Sequence, residues 1–483
     1  MRLRMLTQFI VFLVVLAGPI DSGNVTAHAV TNDPPPYRTI AYALDSGAHD
    51  GDSTQPGERI AFQQVIRIEN ATWLRLHFAA YQLGSASYVT LTSLKDQGVQ
   101  RFDATSLREW SNISAFFNGD AVELVLHVAS ADRGVFVRVD QVLAGQPTSA
   151  PVSVDRSAKP NDLCGADDRV ASSDGREGRI STLSTGPWAF CTAWLVSNGA
   201  VLTAGHCADA DPDNAGPMLP DGVLDWTNNT IVEFNVPTST ISGTVSFAAP
   251  RDQYPVDINS VVWRFDGQDQ GLGKDWAVFG LNRNSNTNRW PHPAQGFFRM
   301  TYQIPAGGST IRVTGYGVDT TPAGATGGEN AQTRTNQTST GSYDANHSSG
   351  ADVWHTYAVD TTGGNSGSPI LWENNGFTLG IHTNGGCTAT GGNNAGTGFG
   401  VLALQQAIQH FPGPDRWYVD KVSISSFKTG FVMEPFQAIG PAITAAGSGH
   451  TVSIVTGHYN ETMTINKKVT LEAPVGAVII GAP

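Results

Sequence analysis

A serine flanked by glycines is the strongest chemical signal in this sequence. Ser366 lies in the segment Thr361–Pro369, which reads TTGGNSGSP. Glycine allows a tight backbone turn and lets amide groups approach a substrate carbonyl closely. We therefore predict that Ser366 is a nucleophile and that the amides of Gly364 and Ser366 form an oxyanion hole. The string alone is equally compatible with an ordinary loop in a glycine-rich protein.

A histidine next to a cysteine could serve as the general base. His206 and Cys207 end the string LTAGHC, and Cys191 precedes it along the chain. Two strands joined by an Asn-Gly turn would bring Cys191 back beside Cys207. A disulfide between them would close a loop of about 15 residues, which stabilises by roughly 3 kcal/mol in the chain-entropy model. It would also hold the backbone next to His206, and a general base has to be held because small displacements reduce the rate strongly.

An aspartate at the start of an apolar strand supplies the third group. Asp275 directly precedes the apolar run WAVF. A carboxylate at that place needs a buried partner. Orienting the imidazole of His206, and stabilising its protonated form, is such a role. Asp257 is the alternative acid, although no comparable apolar strand follows it directly.

In the order His, Asp, Ser, these three motifs resemble the chymotrypsin-type double β-barrel proteases. The string GNSGSP after TTG is similar to the glutamyl endopeptidase branch of that superfamily. The resemblance covers residues 163 to 412 and implies acyl-enzyme chemistry that requires no cofactor. In that chemistry Ser366 attacks, His206 transfers the proton and Asp275 orients His206. The 69 residues from His206 to Asp275 exceed the usual spacing of the family, which implies an insertion.

The residue before the nucleophile bears on activation. Many animal relatives carry an aspartate there that pairs with a newly freed N-terminal amine, whereas this chain has Asn365. An amide cannot form that ion pair, so the resemblance implies that no such salt bridge switches the oxyanion loop. The alternative that the protein is a zymogen, restrained by its N-terminal domain as a propeptide, stays open.

The resemblance assigns the primary specificity pocket to the strand around His382 and Thr383. In glutamyl endopeptidases a histidine there, helped by a threonine like Thr361, receives the substrate carboxylate. A histidine can do so by donating a hydrogen bond. Asp360 instead favours a positively charged substrate side chain. It lies six residues before Ser366, where trypsin-like enzymes carry the acid that binds Arg or Lys. We expect cleavage after Glu or Asp, with cleavage after Arg or Lys as the alternative.

Short alternating runs precede the protease-like region. In residues 58 to 143 apolar positions recur with period two, as in the run Val122–Val128, and Gly, Asp and Ser turns separate the runs. This pattern predicts an antiparallel β-sandwich. No catalytic cluster occurs in it, so we expect a pro- or accessory domain. The Pro-, Ser-, Ala- and Thr-rich residues 144 to 162 are typical of a linker.

The C-terminal residues follow another pattern. The string GHYNE at Gly457–Glu461, with its neighbouring short strands, resembles the opening turn of a right-handed parallel β-helix of the pectate-lyase type. One or two rungs bury too little apolar surface to be stable alone, so this module is expected to pack on a neighbour. Contact with polysaccharide or a cell surface through it is a hypothesis.

The N terminus indicates the compartment. The basic start MRLR precedes the apolar residues Phe9–Ala17 and the small-residue sequence Ala27–Ala29. This pattern predicts a signal peptide, because the apolar run is too short to span a bilayer. We therefore expect a secreted protein without a membrane span.

Export favours disulfides for the four cysteines, since the paired C-x-x-C spacing of a metal site does not occur. Besides the bridge between Cys191 and Cys207, we expect Cys164 to pair with Cys387. That bridge would tie the start of the protease domain to the loop after the pocket strand.

The net charge and the acidic clusters limit the kinds of partner and metal ion that can be expected. The net charge of −13 argues against nucleic acid as a partner, and the expected substrates are proteins or peptides. The alternating acids Asp209, Asp211 and Asp213 could bind structural calcium. They lack the glycine and the bidentate glutamate of the usual calcium loop, so an acidic solvent loop is the preferred interpretation.

The expected fold class is mainly β, a chymotrypsin-like double β-barrel with an N-terminal sandwich and a short C-terminal β-helix-like module. We expect a signal peptide at 1–29, the sandwich at 30–143, the linker at 144–162, the protease domain at 163–415 and the module at 416–483. An inactive, protease-like surface binding protein is the main rival function. An esterase is disfavoured because His206 precedes Ser366.

Overall fold

The computed structural model describes residues 36–54, 57–147, 163–183, 190–209, 221–240, 243–267, 271–319, 331–388 and 390–481. The expected signal peptide and most of the expected linker lie outside the described residues. Among the described helices, none is long and apolar enough to cross a membrane.

The N-terminal strands form the antiparallel sandwich that the alternating runs predicted. Its elements are β1 (Tyr37–Asp45), β2 (Glu58–Arg67), β3 (Trp73–Gln82), β4 (Tyr88–Ser93), β5 (Val99–Phe102), α1 (Ala104–Glu109), β6 (Phe117–Asn118), β7 (Ala121–Ala129) and β8 (Phe136–Gly145). One sheet has the order β1-β8-β3-β6 and the other β2-β7-β4-β5. Alternate residues of β3 and β7, among them Leu74, Leu76, Leu124 and Leu126, fill the core between the sheets.

The opposite face of β3 is buried as well, because it packs against the next domain. The indole of Trp73 lies 4.9 Å from the ring of Phe116 and 5.6 Å from that of Phe247. The guanidinium of Arg75 donates to the carbonyl oxygen of Asn229 at 2.8 Å. Burial of both faces is therefore explained by contact between domains.

The first barrel begins the protease-like region. Its elements are β9 (Val170–Ala171), β10 (Glu177–Ser181), β11 (Phe190–Leu195), β12 (Val201–Thr203), β13 (Ile231–Glu233), β14 (Gln253–Arg264) and β15 (Trp276–Leu281), with 3-10 turns at Gly205–Cys207 and Pro250–Asp252. Six strands close in the order β10-β11-β12-β15-β14-β13. The short β9 instead pairs with a strand of the second barrel.

The second barrel completes the double-barrel fold that the chymotrypsin-like resemblance implied. Its elements are α2 (His292–Gln295), β16 (Arg299–Met300), β17 (Thr310–Gly315), β18 (Gln337–Ser349), β19 (Asp352–Ala358), β20 (Pro369–Trp372), β21 (Phe377–Asn384), β22 (Asn394–Gly398) and α3 (Leu402–Gln409). Strands β21-β20-β17-β18-β19-β22 are consecutive neighbours, and β22 also pairs with β21, which closes the barrel. Helix α3 buries Leu404 and Ile408 in a cluster shared with both barrels.

The C-terminal module consists of parallel strands, as expected of a β-helix-like piece. Its elements are β23 (Arg416–Val419), α4 (Ile439–Ala445), β24 (Thr451–Ile454), β25 (Gly457–Tyr459), β26 (Thr470–Glu472) and β27 (Val478–Ile480). Strands β23, β24 and β26 pair in parallel, and so do β25 and β27. The module is anchored on the second barrel by Arg299, whose Nε donates to Asp420 at 2.6 Å.

Candidate active site

Two neighbouring strands of the first barrel bring His206 to Asp275. His206 lies in the 3-10 turn after β12, and Asp275 directly precedes β15, the strand that pairs with β12. Nδ1 of His206 lies 2.7 Å from Oδ2 of Asp275, and the backbone N–H of His206 donates to Oδ1 at 3.0 Å. Both carboxylate oxygens thus engage one residue, which fixes the position and the orientation of its ring.

The alternative acid is not brought to the histidine. Asp257 lies opposite Gly280, near the far end of β15, and its carboxylate accepts the backbone N–H of Asn259. Asp275, by contrast, is almost wholly buried beside an equally buried imidazole. The edge-to-face contact of Phe265 with His206, at 5.8 Å between centroids, adds to this enclosure.

A disulfide holds the turn that contains His206, as the sequence predicted. Cys191 on β11 is bonded to Cys207, the residue that follows His206. Sγ of Cys207 also lies 3.9 Å from the carbonyl oxygen of Ser366. The segment that carries the expected nucleophile therefore lies against the turn that carries the expected base.

Thr192 attaches the serine loop to the first barrel. Its backbone N–H donates to the carbonyl oxygen of Ser366 at 2.9 Å, and its hydroxyl donates to that of Gly364 at 2.9 Å. Nothing in the sequence pattern singled out this residue. The contact joins positions 172 residues apart, which only the packing of the two barrels brings together.

Two glycines of the loop have backbone conformations that other residues rarely adopt. Gly364 has a φ of 103° and Gly367 a φ of 91°. A Cβ at Gly367 would also lie 2.1 Å from the carbonyl oxygen of Thr192. The turn that contains Gly364 and Ser366 therefore depends on glycine at positions 364 and 367.

The expected pocket residues form one buried cluster beside the loop. Nδ1 of His382 lies 2.7 Å from the hydroxyl of Tyr357. The hydroxyl of Thr361 accepts a hydrogen bond from the side-chain amide of Asn394, the residue that pairs with Tyr357 across β19 and β22. Tyr357 and Asn394 were not predicted, because neither belongs to a recognisable motif.

The hydroxyl of Thr383 donates to its neighbour Asn384 at 2.7 Å. Burial first, and the charge of His206 second, lower the pKa of His382 to about 3. The ring of His382 is therefore neutral at pH 7.

Asp360 accepts hydrogen bonds from the start of the protease domain. Its two carboxylate oxygens accept the backbone N–H groups of Cys164 at 2.7 Å and Asp168 at 2.9 Å. Burial raises the pKa of Asp360, although the two backbone donors oppose that shift. The predicted bridge between Cys164 and Cys387 is present and ties the same segment to the loop after β21.

The described residues contain one close group of potential metal ligands, Cys191, His206 and Cys207. Both of its sulfurs belong to the disulfide, so the group does not fit a metal ion. The carboxylate of Asp209 accepts hydrogen bonds from the backbone of Asp221 and from the indole of Trp263. The other acids of the predicted calcium loop lie outside the described residues, and calcium stays a prediction.

Residues 175–402 match the family model described as Trypsin. The match spans slightly less than half of the chain and includes His206, Asp275 and Ser366, together with the six closing strands of each barrel. The central part of the chain is therefore similar to the trypsin family. No curated protein sequence matches the chain at a significant level.

Several solved structures are similar to about half of the chain. A Glu endopeptidase in complex with MPD is 18% identical, with a TM-score of 0.33 over 51% of this chain and 97% of that one. A thermostable serine protease AL20 from an extremophilic microorganism is 19% identical, with a TM-score of 0.32 over 48% and 95%. A scabies mite inactivated protease paralogue is 15% identical, with a TM-score of 0.33 over 50% and 97%. Similarities at this level carry no argument about activity, and the pectate-lyase resemblance of the C-terminal module stays a prediction.

Proposed function

We propose that this chain is a secreted serine endopeptidase that hydrolyses peptide bonds through an acyl-enzyme on Ser366. The proposal rests on the 2.7 Å contact between Nδ1 of His206 and Oδ2 of Asp275, formed beside the Ser366 loop. With Nδ1 directed at the carboxylate, Nε2 of His206 is the atom that exchanges protons with the serine hydroxyl.

The reaction has two halves in which every proton is accounted for. The hydroxyl oxygen of Ser366 bonds to the substrate carbonyl carbon while its proton passes to Nε2 of His206, and the amine leaves with that proton. Water then attacks the resulting ester in the same way and regenerates Ser366. Asp275 stabilises the imidazolium in both halves, and the amides of Gly364 and Ser366 stabilise the oxyanion.

We further propose that His382 receives the side chain of a substrate glutamate or aspartate. When the hydroxyl of Tyr357 donates to Nδ1, the single proton of the neutral ring resides on Nε2. That Nε2–H can donate to a carboxylate, and a hydrogen bond to a charged group contributes about 1.5–3 kcal/mol. The expected gain is about 10- to 100-fold in rate for Glu over its uncharged isostere Gln.

Cleavage after Arg or Lys is less well supported. A basic substrate side chain would need a free carboxylate, and both oxygens of Asp360 already accept backbone N–H groups. An inactive binding protein is the other alternative. Binding alone does not require a buried His–Asp pair next to a serine flanked by glycines, whereas acyl-enzyme catalysis does. The pair therefore favours an enzyme over an inactive binding protein.

The contacts of the sandwich favour an accessory domain over an occluding propeptide. Gln253, at the start of β14, accepts from and donates to the backbone of Phe116 in the sandwich. Asn282 and Arg283, just after β15, contact the α1 region of the sandwich. Asp275 precedes the opposite end of β15, so we propose that the sandwich leaves the catalytic end of the barrel accessible.

The proposal is tested with three peptide amides that differ only in Glu, Gln or Lys before the cleaved bond. We expect kcat/KM to be highest for Glu and hydrolysis of all three to disappear in Ser366→Ala. Asp360→Asn serves as the control for the Arg/Lys alternative. Hydrolysis that favours Lys and is lost in Asp360→Asn would contradict the pocket assignment, and hydrolysis that persists in Ser366→Ala would contradict the mechanism.

A further inference from the structure

A buried arginine from the start of the protease domain contacts the oxyanion loop. The side chain of Arg169 is 3% exposed and pairs with Asp167, its Nε donating at 2.9 Å and one terminal nitrogen at 2.6 Å. The other terminal nitrogen donates to the hydroxyl of Thr362 at 2.6 Å and to the carbonyl oxygen of Val318 at 3.0 Å. One guanidinium thus joins three separate chain segments.

Thr362 transmits this contact to the loop that carries the nucleophile. Its hydroxyl donates to Val318 at 2.7 Å, and its backbone N–H donates to the side-chain oxygen of Asn365 at 3.0 Å. The backbone N–H of Asn365 donates back to the carbonyl oxygen of Thr362, and Val318 donates to that of Gly363. The turn that precedes Gly364 is therefore closed internally and attached to Val318, in the segment after β17, at the point that Arg169 contacts.

The segment that carries Arg169 is itself attached at three further points. Cys164 is bonded to Cys387, and the backbone of Cys164 and Asp168 donates to Asp360, which directly precedes the loop. Strand β9 pairs with β18 of the second barrel. The position of the guanidinium is therefore set by the fold of residues 163 onward.

We propose that Arg169 is a positioning residue for the oxyanion hole. Its guanidinium fixes Thr362 and so aims the amides of Gly364 and Ser366 at the oxygen of the transition state. The ordering of this loop then needs no newly freed chain terminus, because an internal side chain supplies the cation. The inference rests on the proposed peptidase function and adds the residue that prepares its oxyanion hole.

The test compares Arg169→Met with Arg176→Met. Arg176 is a matched control because it also pairs with an aspartate two residues earlier, Asp174, but contacts Phe298 instead of the oxyanion loop. For the Glu peptide amide, Arg169→Met should lower kcat by about 10- to 100-fold, below the full loss of an oxyanion donor, and change KM little. Arg169→Lys should recover part of the loss, and Arg176→Met should keep the wild-type kcat.

A second readout separates positioning from a general loss of structure. A peptide aldehyde forms a hemiacetal with Ser366 and places its negative oxygen in the oxyanion hole, whereas the corresponding peptide alcohol has no carbonyl and cannot. Arg169→Met should therefore weaken binding of the aldehyde more than binding of the alcohol. Thr362→Val, which keeps the pair of Arg169 and Asp167, should do the same if Arg169→Met does not fold. Wild-type aldehyde affinity and kcat in both variants would overturn the inference. An inactive wild-type protein would instead overturn the proposed function.

Discussion

At the scale of single residues, the mechanism depends on how His206 is held. We predict that Asp275→Asn lowers kcat on the Glu peptide by on the order of 10³- to 10⁴-fold, because an amide favours the wrong imidazole tautomer and cannot stabilise the imidazolium. Asp257→Asn is the matched control, since its side chain accepts only a local backbone N–H, and it should retain activity within about twofold, inside the range of a neutral surface change. Steady-state kinetics of both variants at pH 7 would contradict the assignment if the larger loss followed Asp257→Asn.

The residues that could be predicted from the sequence were those in compact motifs. The string around Ser366 needs glycine for its backbone shape, and in the string around His206 a Cβ at Gly205 would lie 2.1 Å from the carbonyl oxygen of Arg264. Local sequence therefore carries the signal of both residues. The contacts of Thr192, Tyr357 and Arg169 with distant segments form only after folding. A threonine or tyrosine within a strand has no local feature that distinguishes a site residue from a core residue, and an arginine close to aspartates looks like an ordinary ion pair, which is why these three were missed.

At the scale of elements, the alternation of apolar and polar residues predicted where strands form, but it did not predict what packs on each face of a strand. In β3 the period-two alternation puts Leu74 and Leu76 on one face of the strand and Trp73 and Arg75 on the other, and the structure buries all four. Period two reports which residues share a face, but it does not report that a second domain covers the outer one. The two-residue strand β9 is likewise too short for any periodicity, although it fixes the segment that carries Arg169.

The disulfides were predictable for a different physical reason. A pair of cysteines near a tight turn limits the geometry, as for Cys191 and Cys207. The bridge of Cys164 with Cys387 spans 223 residues, and it was inferred from where the resemblance placed the pocket strand. The long-range disulfide was therefore predicted from the expected fold, while the short-range disulfide was predicted from the local sequence.

At the scale of the whole molecule, three buried histidines should make folding sensitive to acid. Burial lowers the pKa of His292 and of His355 to about 4, and that of His382 to about 3. Their unfolded forms bind protons below their ordinary pKa of about 6.5, while the folded forms stay neutral. Stability is thus complete above pH 6.5 and is lost as the pH falls towards 4, by up to about 1.4 kcal/mol per pH unit for each histidine.

This prediction is measured by urea unfolding at pH 7 and pH 5 in a Ser366→Ala background, which prevents self-digestion. His292→Gln removes one buried histidine, whose Nε2 lies 3.4 Å from the carbonyl oxygen of Ala200. Carboxylates common to both proteins cancel in the comparison. We compare the free energy of unfolding of Ser366→Ala with that of the double variant Ser366→Ala/His292→Gln. The value for Ser366→Ala, relative to the double variant, should fall by about 2 kcal/mol between pH 7 and pH 5. A difference between the two proteins that is equal at both pH values would show that His292 titrates normally in the folded protein.

The central claim is that Ser366 is a nucleophile activated by His206. The most direct measurement is covalent labelling of the folded protein with a fluorophosphonate, followed by peptide mapping of the modified residue. We expect one label per chain, located on Ser366, and no label in Ser366→Ala or after unfolding. A folded wild-type protein that takes up no label, or that carries it on another serine, would contradict the account.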